Sequence, residues 1–232
     1  MCIRDRFILK QLYNLPEYKN EEEKQNIKIV EKNGIKIAFV SFNQYVNGVT
    51  YQEKLPYMIN FHESTMMENM KKARENADIV IVSCHWGIEY DYYPNTFQKN
   101  MAEQLADAGA DVIIGTHPHT LQDVEYIQRA DGKRTLVAYS LGNFVSGMLE
   151  ESCQLEGMLS FDIEKKKIKN VVFTPLVNYY TLTGKRERHD FSVYRLKDYT
   201  NKLVEKHGFP NLTIPYMKEE VKKKVKNIKI DM

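Results

Sequence analysis

The 232-residue chain has few cysteines, no long apolar run and almost no charge imbalance. Its three cysteines, Cys2, Cys84 and Cys153, are scattered, odd in number and without CxxC spacing. A zinc–thiolate cluster and a disulfide framework are therefore excluded as organising devices. The compartment stays open, since secreted proteins can lack disulfides. No run of about 18 apolar residues occurs, so no transmembrane helix is expected. The opening stretch MCIRDRFILKQLYNLPEYKNEEEK is too charged for a signal peptide. An exported parent would carry its signal outside this chain. The formal net charge is only +2, from 33 basic and 31 acidic residues. Nucleic acid is not an expected partner, because domains that bind it usually carry a basic excess. No internal repeat or low-complexity segment is present.

What is there supports a globular core, with 43% of residues hydrophobic. The basic residues do cluster, at Lys165-Lys166-Lys167 and at Lys222, Lys223, Lys224, Lys226 and Lys229. These read as a solvated turn and a solvated tail. Adsorption of the tail to anionic polymer or lipid is the alternative.

Two β-rich runs flank Asn33-Gly34, a strong hairpin signal. The second run, IKIAFVSF, is almost wholly apolar and predicts a strand buried on both faces. Asn43 to Asn60 reads as a long loop. His62 to Asn76 reads as a helix whose methionines Met66, Met67 and Met70 fill the core. Ile79 to Ser83 is then a buried strand running out into His85. A helix from Thr96 to Ala108 follows, with Gly109 placed to end it. The next short strand, Asp111 to Ile114, runs into Gly115-Thr116-His117-Pro118-His119. This unit is a right-handed βαβ crossover joining two parallel, adjacent strands. Asp123 to Gln128 and Arg134 to Leu141 predict a hairpin about Asp131-Gly132. Leu159 to Ile163 and Lys169 to Val177 predict a pair across the lysine turn. After Thr183 the pattern weakens.

In α/β sheets, chemistry gathers beyond the carboxyl ends of parallel strands. His85 stands at one such end, and His117 and His119 at the end of its partner. All three can converge on one edge. In extended backbone, residues i and i+2 point the same way, so His117 and His119 are expected to face one site. Gly115 is expected to ease a tight turn at the strand end. Imidazoles suit zinc, manganese and iron, with carboxylates or water completing the shell. A histidine in a strand-end loop, taken alone, is more often a hydrogen-bonded structural residue.

HWG at His85 to Gly87, Asp107 to Asp111, GTHPH at Gly115 to His119 and SLGNF at Ser140 to Phe144 occur in this order. Together they resemble the CapA family of bacterial proteins linked to poly-γ-glutamate capsule synthesis. The resemblance runs from about Ile27 to about Thr174. It implies an α/β fold, the αββα layered sandwich of the metallo-dependent phosphatases. It implies His85 and His117 on one divalent metal ion and His119 on a second. Asn143, in the SLGNF block, would shape the pocket or merely cap a turn. Glu89 would orient a histidine or stand as an ordinary exposed carboxylate.

One departure stands out. The family's opening Gly-Asp block and its Asn-His block have no counterpart here, and Asp5 lacks the strand and glycine context. The N-terminal portion of the domain is expected to be missing. The expected organisation is an atypical segment at 1–26, a domain at 27–185 and a charged extension at 186–232. The resemblance implies phosphoester hydrolysis in the full-length parent, at the membrane or outside the cell. The alternative is a non-catalytic component of capsule polymer assembly or export, holding a polyanionic chain or a partner in the synthesis machinery. No catalytic residue is assigned by the sequence.

Overall fold

The computed structural model describes residues 26–44, 64–184 and 186–232. Most of the loop read at Asn43 to Asn60, and the start of the helix read from His62, lie outside them. Strands β1 (Lys28–Lys32) and β2 (Ile35–Asn43) form an antiparallel hairpin. Its turn residues, Asn33 and Gly34, both have positive φ, +55° and +72°. Two left-handed residues twist a two-residue turn to match the strands it joins.

Helix α1 (Ser64–Asn76) leads to β3 (Ile79–His85), and α2 (Thr96–Asp107) leads to β4 (Val112–Thr116). β5 (Val124–Gln128) and β6 (Arg134–Ala138) are the next hairpin. The first sheet has the order β1-β2-β3-β4-β6-β5. Its four central strands, β2, β3, β4 and β6, are parallel. The predicted crossover is present, with β3 and β4 adjacent. α2 begins with a capping box in which Asn95 and Gln98 satisfy each other's backbone N–H. Such a cap contributes about 1 kcal/mol.

Alternation along β3 sets the layers. Val80, Val82 and Cys84 face α1 and α2, in one core with Met66, Met70, Ala102 and Leu105. Met67, by contrast, is exposed. Ile79 and Ile81 face the other way, in a second core with Phe39, Leu136 and Ile163. Ile163 belongs to the second sheet, built on β7 (Leu155–Glu164) and β8 (Lys167–Thr183). Strands β9 (Glu187–Arg195) and β10 (Lys229–Ile230) both pair with β8. Helices α3 (Asn201–Lys206) and α4 (Ile214–Lys224) complete a third core. There Val204, Met217 and Val221 join Phe173, Val177 and Leu121. The result is the layered αββα sandwich. Residues 186–232, set apart in sequence only by their charge, supply much of that third core.

The solvated-tail reading of the C-terminal lysines needs correction. Lys224 is only 2% exposed. Its ammonium donates to the Tyr92 carbonyl at 2.5 Å and lies 4.5 Å from the Tyr93 ring centre. Lys226 pairs with Asp123 and Glu125. Helical periodicity decides the matter: Met217, Val221 and Lys224 share the face of α4 that packs inward. The other lysine run is indeed a turn, with Lys165 and Lys166 at positive φ.

Candidate metal centre

The register of β3 and β4 places His85 opposite Thr116. Trp86 N–H then donates to the Thr116 carbonyl, so both chains leave the sheet together. Nε2 of His85 lies 2.9 Å from Nδ1 of His117. The rings of His117 and His119 have centroids 6.2 Å apart. The three predicted histidines are therefore neighbours on one edge.

The expected reason for that convergence was wrong. His117 and His119 are not in extended backbone: φ is +98° and +62°. Left-handed backbone at a non-glycine residue costs of order 1–3 kcal/mol and clusters at functional sites. Two such residues flanking Pro118 fold the loop back over the end of the sheet.

His119 is held from two sides. Asn143 donates its amide N–H to the His119 carbonyl at 3.3 Å. That fixes which end of the amide is which, and leaves Asn143 Oδ1 2.6 Å from His119 Nδ1. Nδ1 must then carry the proton, and the lone pair belongs to Nε2. Nε2 in turn faces Glu89, with Oε1 at 3.8 Å. The nitrogen lone pair and the carboxylate oxygen thus face each other, and both are donors suited to a divalent cation. Asn143 is thus no mere turn cap. Glu89 stands beside His119 with its side chain 42% exposed, so both readings given for it, orienting partner and exposed carboxylate, stay open.

Burial pushes the pKa of His85 down to about 4, helped by the charges of His117 and His119. His117 is also lowered, chiefly by burial. Both are neutral near pH 7, which is the form a metal needs. The 2.9 Å between their nitrogens is about the span of two adjacent ligands on one ion with bonds near 2.1 Å. The donor chemistry fits a divalent ion, but the set is partial. Among the described residues, no three His, Cys, Asp or Glu side chains form a group that could hold a metal ion. His207 shows the contrast: its ring nitrogens meet the Asn178 carbonyl and the Phe209 N–H, and it is simply a satisfied core residue.

The turn expected at Gly115 is not its role. Gly115 lies inside β4, where a Cβ would fall 1.9 Å from the Tyr139 carbonyl oxygen and 2.3 Å from Trp86 Nε1. It is glycine because the Trp86 indole, wholly buried, donates to that same carbonyl.

Sequence reasoning missed the residues that fix the loop after Trp86. Thr120 donates to the Asp91 carbonyl at 2.6 Å. Gln122 donates to the carbonyls of Asp91 and Tyr93, and accepts from Gln98 at 2.8 Å. Tyr90 N–H reaches the Pro118 carbonyl. Thr120, Gln122 and Gln98 are all fully buried. The only sequence signal was their closeness to the motifs. Also missed was Glu156, wholly buried behind Gly142. Neither of its carboxyl oxygens makes a well-formed hydrogen bond, although the backbone N–H groups of Phe144 and Asn143 approach them. Burial raises its pKa to about 8, and the nearby N–H groups of Phe144 and Asn143 only partly oppose this.

A family model described as bacterial capsule synthesis protein PGA_cap matches residues 16–148. The capsule biosynthesis protein CapA of Bacillus anthracis is 35% identical over 131 residues, covering 54% of this chain and 31% of that protein. The PGA biosynthesis protein CapA of Bacillus subtilis (strain 168) is 31% identical over 160 residues, covering 68% of this chain and 41% of that protein. The chain therefore spans about a third to two fifths of these curated relatives. Among solved structures, the NAD nucleotidase of Haemophilus influenzae aligns over 94% of this chain and 41% of that chain, with 13% identity and a TM-score of 0.38. At that score it adds nothing to the fold already described.

Proposed function

Because this chain belongs to the bacterial capsule synthesis protein family PGA_cap, we propose that its histidine cluster is part of a divalent-metal centre for phosphoester hydrolysis. His85 and His117 would hold one ion, and His119 with Glu89 a second. Manganese, zinc or iron would suit these donors. A bound ion would polarise a phosphoryl oxygen and lower the pKa of its water toward 7. The chain's own residues do the rest. Asn143 keeps the proton on Nδ1 of His119, and the buried amides of Gln98 and Gln122 hold the loop that carries Glu89.

The observation that carries this reading is the opposition of His119 Nε2 to Glu89 Oε1 at 3.8 Å. Titration with Mn²⁺ or Zn²⁺, followed by the histidine ring signals in NMR, tests it. All three rings should shift, and His117→Ala should abolish the shift of His85 while leaving that of His119. Asn143→Ala should weaken affinity about 10–100-fold, as loss of a ligand's orienting partner does. Silent rings at millimolar metal would end the proposal.

A second reading is favoured by the partial donor set. Here the chain would be a non-catalytic part of capsule polymer assembly or export. Metal binding without metal-dependent hydrolysis of p-nitrophenyl phosphate would select it. Under either reading the full-length parent would work at the membrane or outside the cell. No helix among the described residues is long and apolar enough to cross a membrane.

A further inference from the structure

The second sheet carries a cleft that the metal centre does not use. Its volume is about 630 Å³, within the range of ligand sites. Thr181 of β8, Asp190 and Tyr194 of β9, and Lys202, Leu203 and Lys206 of α3 line it. The backbone there is shaped. The β8–β9 ladder slips register between Tyr179 and Thr181, and Asp190 has a φ of +59°. Such bulges re-aim side chains. The Asp190 carboxylate accepts the Thr181 hydroxyl at 2.8 Å.

Lys202 and Lys206 lie one turn apart on α3 and have no ion-pair partner among the described residues. The nearest lysine before them in sequence, Lys197, is paired with Asp231. Between Lys202 and Lys206 in sequence, Leu203 is partly exposed, with part of its side chain packed on the third core. The cleft therefore sets two ammonium groups and an apolar edge along α3, beside the Asp190 carboxylate that the Thr181 hydroxyl engages.

The tyrosines narrow the ligand class. Tyr179 is only 5% exposed. Tyr194 meets Tyr179 edge-on at 5.7 Å and Tyr199 at 5.8 Å. With Tyr179 and Tyr199 buried, one partly exposed ring, Tyr194, is left for stacking, whereas acidic side chains need only the lysines.

We propose that this cleft binds an acidic peptide segment of a partner protein, two carboxylates meeting Lys202 and Lys206 and an apolar side chain between them meeting Leu203. The reading is independent of the metal centre. Calorimetric titration of the full chain with a capped peptide holding a Glu-Leu-Glu core tests it. Saturable one-to-one binding that weakens with added salt is expected. Lys202→Glu or Lys206→Glu should each raise Kd about tenfold, with an unchanged unfolding midpoint to show that the fold is intact. Leu203→Ser should raise Kd by a smaller factor, and the Gln-Leu-Gln peptide should not bind. His117→Ala should bind as the parent does, which separates this site from the metal centre. Equal affinity in the double lysine reversal would overturn the proposal. So would a glutamate homopolymer that binds the Leu203→Ser chain as tightly as the parent, or oligogalacturonate that displaces the peptide at equal concentration.

Discussion

The carboxyl edge of the first sheet and the cleft beside the second handle polar groups in opposite ways. At the carboxyl edge of the first sheet, polar side chains beside the histidines are buried and bonded. Gln98, Gln122 and Thr120 are fully buried, and their donors end on backbone carbonyls or on each other. The loop they hold is fixed before any ligand arrives. At the cleft, Lys202 and Lys206 of α3 stand free and exposed. The first arrangement suits chemistry, which needs fixed geometry. The second suits recognition of a charged partner, where electrostatic complementarity sets rate and specificity.

Three tests would break or sharpen that contrast. The largest effect is expected at Gly115, the closest contact under the histidine edge. Gly115→Ala puts a methyl group 1.9 Å from the Tyr139 carbonyl oxygen, a clash between main chains that no rotamer relieves. A loss above about 4 kcal/mol is expected, read as failure to unfold cooperatively in urea. A two-state transition with a near-parental midpoint would show that the edge is softer than described.

The next test uses neighbours on α4. Lys224→Ala leaves the Tyr92 carbonyl without its donor and opens a gap beside two rings. About 2–3 kcal/mol of destabilisation is expected. Lys222→Ala loses only an exposed pair with Glu219, worth less than about 0.5 kcal/mol. Chemical denaturation of both variants decides it, and equal losses would sink the claim that this helix docks through Lys224.

The third test concerns Glu156. Its pKa is raised to about 8 in the fold, against an ordinary value near 4.5. The folded chain thus keeps a proton that the unfolded chain releases. Stability from this group is complete below about pH 4.5 and falls as pH rises to about 8. Glu156→Gln should flatten that slope. At pH 8 the variant should be more stable than the parent by about 2 kcal/mol, discounted from about 1.4 kcal/mol per pH unit. Parallel pH profiles for the two proteins would refute the buried-acid assignment.

Part of this molecule was legible in advance because the signals were local. Short, nearly continuous apolar runs marked β2, β3 and β4, and period-3.6 patterning marked α2. Asn33-Gly34 marked a hairpin, and strand-end position marked the three histidines. The bonded polar residues were not legible. Gln98, Gln122 and Thr120 look like surface residues, because their partners are carbonyls that come near only after the chain has folded. Lys224 was misread for the same reason, since its charge outweighed its place on the inward face of α4.

The sequence by itself determined the crossover and put His85, His117 and His119 at one sheet edge, since parallel strands must end on the same side. Only the tertiary structure decided how the histidines meet. Left-handed backbone at His117 and His119 turns their rings together, and an amide from a distant loop fixes the tautomer of His119. Those choices depend on contacts far apart in the chain, which no local pattern encodes.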